Sequence, residues 1–64
     1  MFYVSLIQDN ERIIDGSVHA TLDAAQAEFD MMRTVTVNAA RNYAGTFTLT
    51  LIDADDNTIA TLVA

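Results

Sequence analysis

A chain of 64 residues with nine acidic residues, three arginines, no lysine and no cysteine carries a formal net charge of −6. This composition excludes disulfides and thiolate metal sites. It also argues against direct binding to nucleic acid or to a membrane surface, both of which are bound mainly through Lys and Arg. The length predicts a single small domain over residues 1–64 with a thin core. Because 52% of the residues are apolar, we expect part of that surface to meet another chain, as in a homodimer.

The first twenty residues predict a β-hairpin. Residues 2–8 are β-branched and aromatic, and they alternate between the two faces of a strand. Asp9-Asn10 follows, and both residues tolerate the left-handed conformation that a tight turn needs. Residues 12–20 predict the return strand, which Asp15-Gly16 interrupts with either a second turn or a bulge.

The middle of the chain predicts one helix over residues 22–43. Thr21 is a suitable N-cap, Asp23 lies in the first turn, and apolar and small residues then recur at helical spacing. Gly45 follows where a left-handed stop is expected. The β-branched run 34–37 suits a short strand equally well, but the helical period continues past it.

The remaining residues predict a second hairpin. Phe47, Leu49 and Leu51 alternate with threonines, 53–57 is an acidic turn, and 58–63 return. The predicted fold is therefore α+β: a ββαββ chain that forms a four-stranded antiparallel sheet of order 2-1-3-4. The helix, at about 22–43, packs on one face, and the other face is left open.

Apolar side chains on the open face predict an oligomer interface. Alternation along the strands assigns four of them to that side of the sheet: Tyr3, Ile7, Ile52 and Leu62. The other aromatic side chains belong to the predicted core or are not interleaved with basic residues. A base-stacking platform is therefore not expected.

The acidic turn resembles the start of an EF-hand calcium loop only in part. Asp53, Asp55 and Asn57 have the spacing of the first three side-chain ligands. The position that needs Gly is Thr58, and the position that needs a bidentate Glu is Ala64. We therefore expect an ordinary hairpin turn, with no metal and no cofactor.

Catalytic residues are also scarce. His19 is the only histidine, Ser5 and Ser17 are the only serines, and neither serine lies in a nucleophile-elbow motif. Without Cys or Lys, the chain has no side chain that could act as a thiolate nucleophile or form a Schiff base. We expect no catalytic residues and no enzyme activity.

The charge predicts the kind of partner. Carboxylates of the two hairpin turns, expected to converge at one edge, are the predicted partner-binding residues: Asp53, Asp55, Asp56, Asp9 and Glu11. The favoured hypothesis is a stoichiometric inhibitor or adaptor that binds a basic protein surface, such as that of a nucleic-acid-binding protein. A phage anti-defence (anti-CRISPR) protein is of this type. The N-terminus lacks a basic segment before its short apolar run, so a cytoplasmic location is expected.

Three other interpretations stay open at this point. The acidic residues would equally well serve only to keep a rather apolar domain soluble. A first alternative function is a homo-oligomeric structural module without a charged partner. A second is a small metal-binding or enzyme accessory domain.

Overall fold

The computed structural model of residues 1–64 confirms the ββαββ fold. The strands form one antiparallel sheet in the order β2-β1-β3-β4, and the helix packs on one side of it. The elements are β1 (Phe2–Gln8), β2 (Arg12–His19), α1 (Leu22–Ala40), β3 (Phe47–Asp53) and β4 (Thr58–Val63).

The first hairpin turns at the predicted dipeptide. Asp9 and Asn10 have φ of 56° and 59°, and the Glu11 amide donates to the Gln8 carbonyl at 3.1 Å. Two positive φ values are typical of a type I′ turn, which matches the twist of the strands. Strand β2 then continues through Asp15-Gly16, so the interruption there is a bulge and not a turn. The bulge leaves Ile14 without a partner in the register with β1.

The helix begins where its cap predicts. The Thr21 hydroxyl accepts a hydrogen bond from the Ala24 amide at 3.2 Å. The β-branched run 34–37 is helical, so the alternative of a short strand is wrong. The helix ends at Ala40, three residues before the predicted end at 43, and Arg41 caps it in the right-handed conformation.

Gly45 has a different role from the predicted left-handed stop, because its φ is not positive. A Cβ atom at this position would meet the Asp9 carboxylate and would lie 2.5 Å from Cε2 of Tyr43. Gly45 is therefore required by a close approach between the loop after α1 and the β1–β2 turn.

The core lies between the helix and the two central strands. Its buried side chains come from one face of β1 and β3 and from one stripe of α1: Val4, Leu6, Ala25, Phe29, Met32, Phe47, Leu49 and Leu51. Thr36 is equally buried on the same stripe, and its hydroxyl has no hydrogen-bond partner. This side of the sheet is called the covered face below.

Leu62 belongs to the covered face, so its prediction as an open-face residue is wrong. It pairs with Leu49 and packs against the core. The cause is a bulge in β4: Leu51 pairs with Ala60 while Ile52 pairs with Thr58, which leaves Ile59 as an extra residue. One extra residue moves every later side chain of the strand to the opposite face.

Candidate functional site

The face of the sheet opposite the helix has no charged side chain. Register and alternation define this open face by twelve residues: Tyr3, Ser5, Ile7, Ile13, Gly16, Val18, Thr48, Thr50, Ile52, Thr58, Thr61 and Val63. In a protein with a net charge of −6, every acidic residue and every arginine lies elsewhere. A large uncharged area of this kind is unusual for a surface that only faces water.

The open face is organised in rows across the strands. The first row is Val18, Tyr3 and Ile52, which are directly paired neighbours. The middle row is small and polar, and its Ser5 and Thr50 hydroxyls are hydrogen-bonded at 2.9 Å. The last row contains three aliphatic side chains and one threonine: Ile13, Ile7, Thr48 and Val63. Two apolar rows therefore flank a hydroxyl-lined strip.

Many of these apolar side chains are exposed to solvent. Ile13 is 68% exposed, Val63 is 63% exposed and Val18 is 56% exposed, whereas Tyr3 is 37% exposed. Ile7 and Ile52 are half-buried against their neighbours. The three predicted interface residues Tyr3, Ile7 and Ile52 thus lie together on one surface.

The two acidic turns do not converge at one edge, contrary to expectation. Gln8 pairs with Phe47, whereas Phe2 pairs with Asp53, so the β1–β2 turn and the β3–β4 turn lie at opposite ends of the sheet. The predicted partner-binding residues Asp9 and Glu11 are thereby separated from Asp53, Asp55 and Asp56. They cannot form a single contact patch.

Asp53 organises the β3–β4 turn. Its carboxylate accepts from the amides of Asp55 at 2.9 Å and Asn57 at 3.0 Å, and from the Asn57 side chain at 3.4 Å. The Asn57 amide, together with that of Asp55, holds the pKa of Asp53 below its ordinary value of 3.8. Asp56 has a φ of 62°, the left-handed residue of a three-residue hairpin loop. Asp53 is therefore used within the turn, whereas no hydrogen bond engages the carboxylates of Asp55 and Asp56.

Asp9 has a comparable structural role at the other end. Its carboxylate accepts from the Tyr43 hydroxyl and, at 2.9 Å, from the Thr46 amide. These two hydrogen bonds, that of Tyr43 foremost, lower the pKa of Asp9, and the same carboxylate raises the pKa of Tyr43 above 10.0. Asp9 thus ties the first hairpin to the segment that follows α1, a contact between residues 34 positions apart.

The charge is uneven between the two ends. The helix starts beside the β3–β4 turn, because β2 ends opposite Phe2 and leads directly into α1. Four carboxylates therefore share one end of the molecule, called the acidic end below: Asp23, Asp53, Asp55 and Asp56. The opposite end combines Asp9 and Glu11 with Arg12 and Arg41.

One pair of potentially reactive side chains comes together on the edge strand β2. The Ser17 hydroxyl lies 3.0 Å from Nε2 of His19. Asp15 is on the same face of the strand but is four residues from His19, and its carboxylate accepts from the Gly16 amide. About 13 Å separates positions four residues apart along a strand. The pair therefore lacks an acid to orient the imidazole, as nucleophilic catalysis would require.

The structure offers little enclosed space for a small molecule. The one cleft lies between α1 and the sheet, its lining includes Asp15, Glu28 and Met32, and it does not enclose room for a water molecule. No group of three or more His, Asp or Glu side chains is arranged to hold a metal ion. The uncharged open face is thus the candidate contact surface.

Sequence alternation alone identified only half of the apolar side chains that the register places on the open face. It found Tyr3, Ile7 and Ile52 and missed Ile13, Val18 and Val63. Both edge strands contain a bulge, and each bulge shifts the phase of the alternation. The Asp15-Gly16 dipeptide was the only sequence signal of the first bulge.

Comparison of the chain with protein-family models, with curated proteins and with solved structures finds no match. The helix is not long and apolar enough to cross a membrane.

Proposed function

We propose that this chain is a non-catalytic protein-binding module that contacts its partner through the open face. The observation that carries the proposal is the uncovered row of Val18, Tyr3 and Ile52, which continues directly into the acidic turn after Asp53. A rigid apolar row beside free carboxylates suits a partner with an apolar patch bordered by Arg or Lys.

The size of the open face supports this assignment. The molecule measures 33 × 21 × 15 Å, and the shortest dimension is the thickness of one helix on one sheet. The two longer dimensions limit the projected area of the face to about 700 Å², compared with the roughly 800 Å² that one partner contributes to a standard interface. A complex of standard size would therefore use most of this face.

The acidic end supports a basic partner. Asp55 and Asp56 follow the apolar row, and their carboxylates make no hydrogen bond within the turn, so they are available to a cation. Opposite charges around an apolar contact accelerate association and select the partner. We propose a basic protein, such as one that binds nucleic acid, with the module acting stoichiometrically as an inhibitor or adaptor of the phage anti-defence type.

The test uses immobilised protein to retain the partner from a lysate of the source cells, followed by titration of the purified partner. Tyr3→Ser removes the centre of the apolar row. The double variant Asp55→Asn, Asp56→Asn removes two charges while Asn tolerates the left-handed position 56. Asp53 stays unchanged because its carboxylate holds the turn. We expect at least a tenfold loss of affinity for each variant, and weaker wild-type binding at higher salt.

Met31→Ser is the matched control, because Met31 is 57% exposed on the far side of the helix. It should bind as the wild type does. The proposal is wrong if Met31→Ser abolishes binding while Tyr3→Ser and the double variant retain it. Circular dichroism spectra of all variants establish that each one is folded.

A further inference from the structure

The two edges of the sheet differ in how well they are protected against pairing with another strand. Strand β2 has three features that discourage such pairing: the bulge at Ile14, the glycine at position 16 and the charge of Asp15, which points toward the covered face. Strand β4 has the sequence TIATLV, without charge, proline or glycine. Its bulge lies at Ile59, at the start of the strand, and leaves residues 60–63 regular.

The free side of β4 follows from the hydrogen-bond pattern. Phe47 and Ala64 exchange both of their backbone hydrogen bonds, at 2.9 Å each. Because antiparallel pairs alternate, Leu62 and Ala60 also point their amides toward β3, whereas Thr61 and Val63 point theirs away from the sheet. The side chains of Thr61 and Val63 are exposed as well.

We propose that a second copy of this chain pairs with β4 in antiparallel orientation, forming one continuous eight-stranded sheet. A two-fold axis at Thr61 would pair this residue with its own copy and would pair Ala60 with Leu62 of the second copy, so the contact lies within the regular residues 60–63. Such a contact uses the same strand on both copies, so it forms a closed dimer in which no β4 edge stays free. The protected edge at β2 prevents growth into a fibre.

Charge favours the antiparallel orientation over the parallel one. A parallel arrangement would place the acidic ends of two copies side by side. In the antiparallel arrangement, the turn with Asp55 and Asp56 instead lies at the end of the second copy where the two acidic residues of the first turn are balanced by Arg12 and Arg41. The two open faces then form one surface, so the dimer would present two partner-binding rows.

Light scattering and sedimentation between about 10 and 500 µM test this proposal, because a contact along one strand is at the small end of protein interfaces. The wild type should shift from its monomer mass of 7.0 kDa toward twice that value. Thr61→Lys places like charges opposite each other, and Thr61→Pro removes the outward amide, so both variants should stay monomeric. Higher salt should strengthen the wild-type dimer, since it screens repulsion between two copies of charge −6.

Thr48→Lys is the control that separates this contact from stacking of two open faces. Thr48 lies on the open face of the central strand β3, so a lysine there blocks stacking and leaves the β4 edge intact. The edge proposal predicts a dimer for Thr48→Lys. A monomeric wild type at every concentration overturns it, as does a dimer that Thr48→Lys dissociates and Thr61→Lys does not.

Amide hydrogen exchange at the dimeric concentration gives an independent result. Without a second strand, the amides of Thr61 and Val63 face solvent and exchange rapidly, whereas those of Ala60 and Leu62 are held by β3. In the proposed dimer the Thr61 amide is protected as well. Rapid exchange of Thr61 in a sample that is dimeric by mass would place the contact elsewhere and overturn the proposal. The outcome is independent of whether the basic partner exists.

Discussion

Both faces of the sheet carry aliphatic and aromatic side chains, but these side chains differ in their surroundings. On the covered face, Leu49 and Leu51 are fully buried beneath Phe29 of the helix. On the open face, Tyr3, Ile13 and Val18 form apolar rows that nothing covers. Burial, and not residue type, therefore separates residues that hold the fold from residues available for contact. The comparison predicts that substitutions on the two faces have opposite consequences for stability and for binding.

The largest expected effect comes from a pair of truncations across the sheet. Leu49→Ala removes a fully buried side chain from the core, so we expect a loss of about 2–5 kcal/mol in the free energy of unfolding. Ile13→Ala shortens a side chain that is 68% exposed and should change stability by no more than about 0.5 kcal/mol. Urea denaturation of both variants measures the contrast. Similar losses for the two would mean that the open face is as much a part of the core as the covered face.

The two glycines allow a similar comparison between a crowded and an open backbone position. Gly45→Ala would force a methyl group against the Asp9 carboxylate and the Tyr43 ring, which we expect to cost about 1–3 kcal/mol. Gly16 lies on the open face, where an added Cβ meets only the Val4 carbonyl at 3.9 Å. Gly16→Ala should therefore be neutral or stabilising by up to about 1 kcal/mol. Thermal melting of both variants measures the two effects. A lower melting temperature for Gly16→Ala than for Gly45→Ala would contradict this prediction.

Thr36 is the exception on the covered face, because its buried hydroxyl has no partner. Thr36→Val keeps the shape of the side chain and removes the unpaired polar group, so we expect a gain of about 1 kcal/mol. Thr34→Val is the matched control on the exposed side of the same helix and should have little effect. A destabilised Thr36→Val variant would show that the hydroxyl is satisfied in solution.

The smallest expected effects concern the dependence of stability on pH, which arises from titratable side chains at the two ends of the sheet. Asp9 and Asp53 have pKa values below 3.8 in the folded state, so their contribution to stability is complete above that pH and is lost as the pH falls through the lowered values. The raised pKa of Tyr43 acts in the opposite sense: its contribution is present below pH 10.0 and is lost as the pH rises through the raised value.

Melting temperatures between pH 2 and 11 measure both limits. Tyr43→Phe should abolish the alkaline loss and weaken the acid loss, because Asp9 then loses its strongest hydrogen bond. Asp55→Asn leaves both structural carboxylates in place and should keep the wild-type profile. If Tyr43→Phe still loses stability at high pH as the wild type does, the Asp9–Tyr43 contact does not stabilise the fold.

The sequence predicted the architecture well and the surface less well, for identifiable reasons. The alternation of Phe47, Leu49 and Leu51 and the helical period from Ala25 to Thr36 are local signals, and they define the covered face. Leu62 was misplaced because a bulge shifts the register of β4, and bulges depend on how the turn closes.

The role of Asp9 was missed for a different reason. Its partners Tyr43 and Thr46 are more than thirty residues away, beyond the reach of any periodic pattern. The separation of the two acidic turns, in contrast, already follows from the predicted strand order. When β1 and β3 are antiparallel neighbours, the turns that follow them must lie at opposite ends.

The central claim is that the open face, and not the exposed side of the helix, is the contact surface. The most direct measurement is amide chemical-shift mapping by NMR during titration with the purified partner. We predict that shifts concentrate at Val18, Tyr3 and Ile52 and extend into the turn at Asp55. The exposed helix residues Met31 and Val35 are the internal comparison, because both are apolar and belong to the element that packs on the other face of the sheet. Shifts centred on Met31 and Val35, with the open face unchanged, would contradict the account.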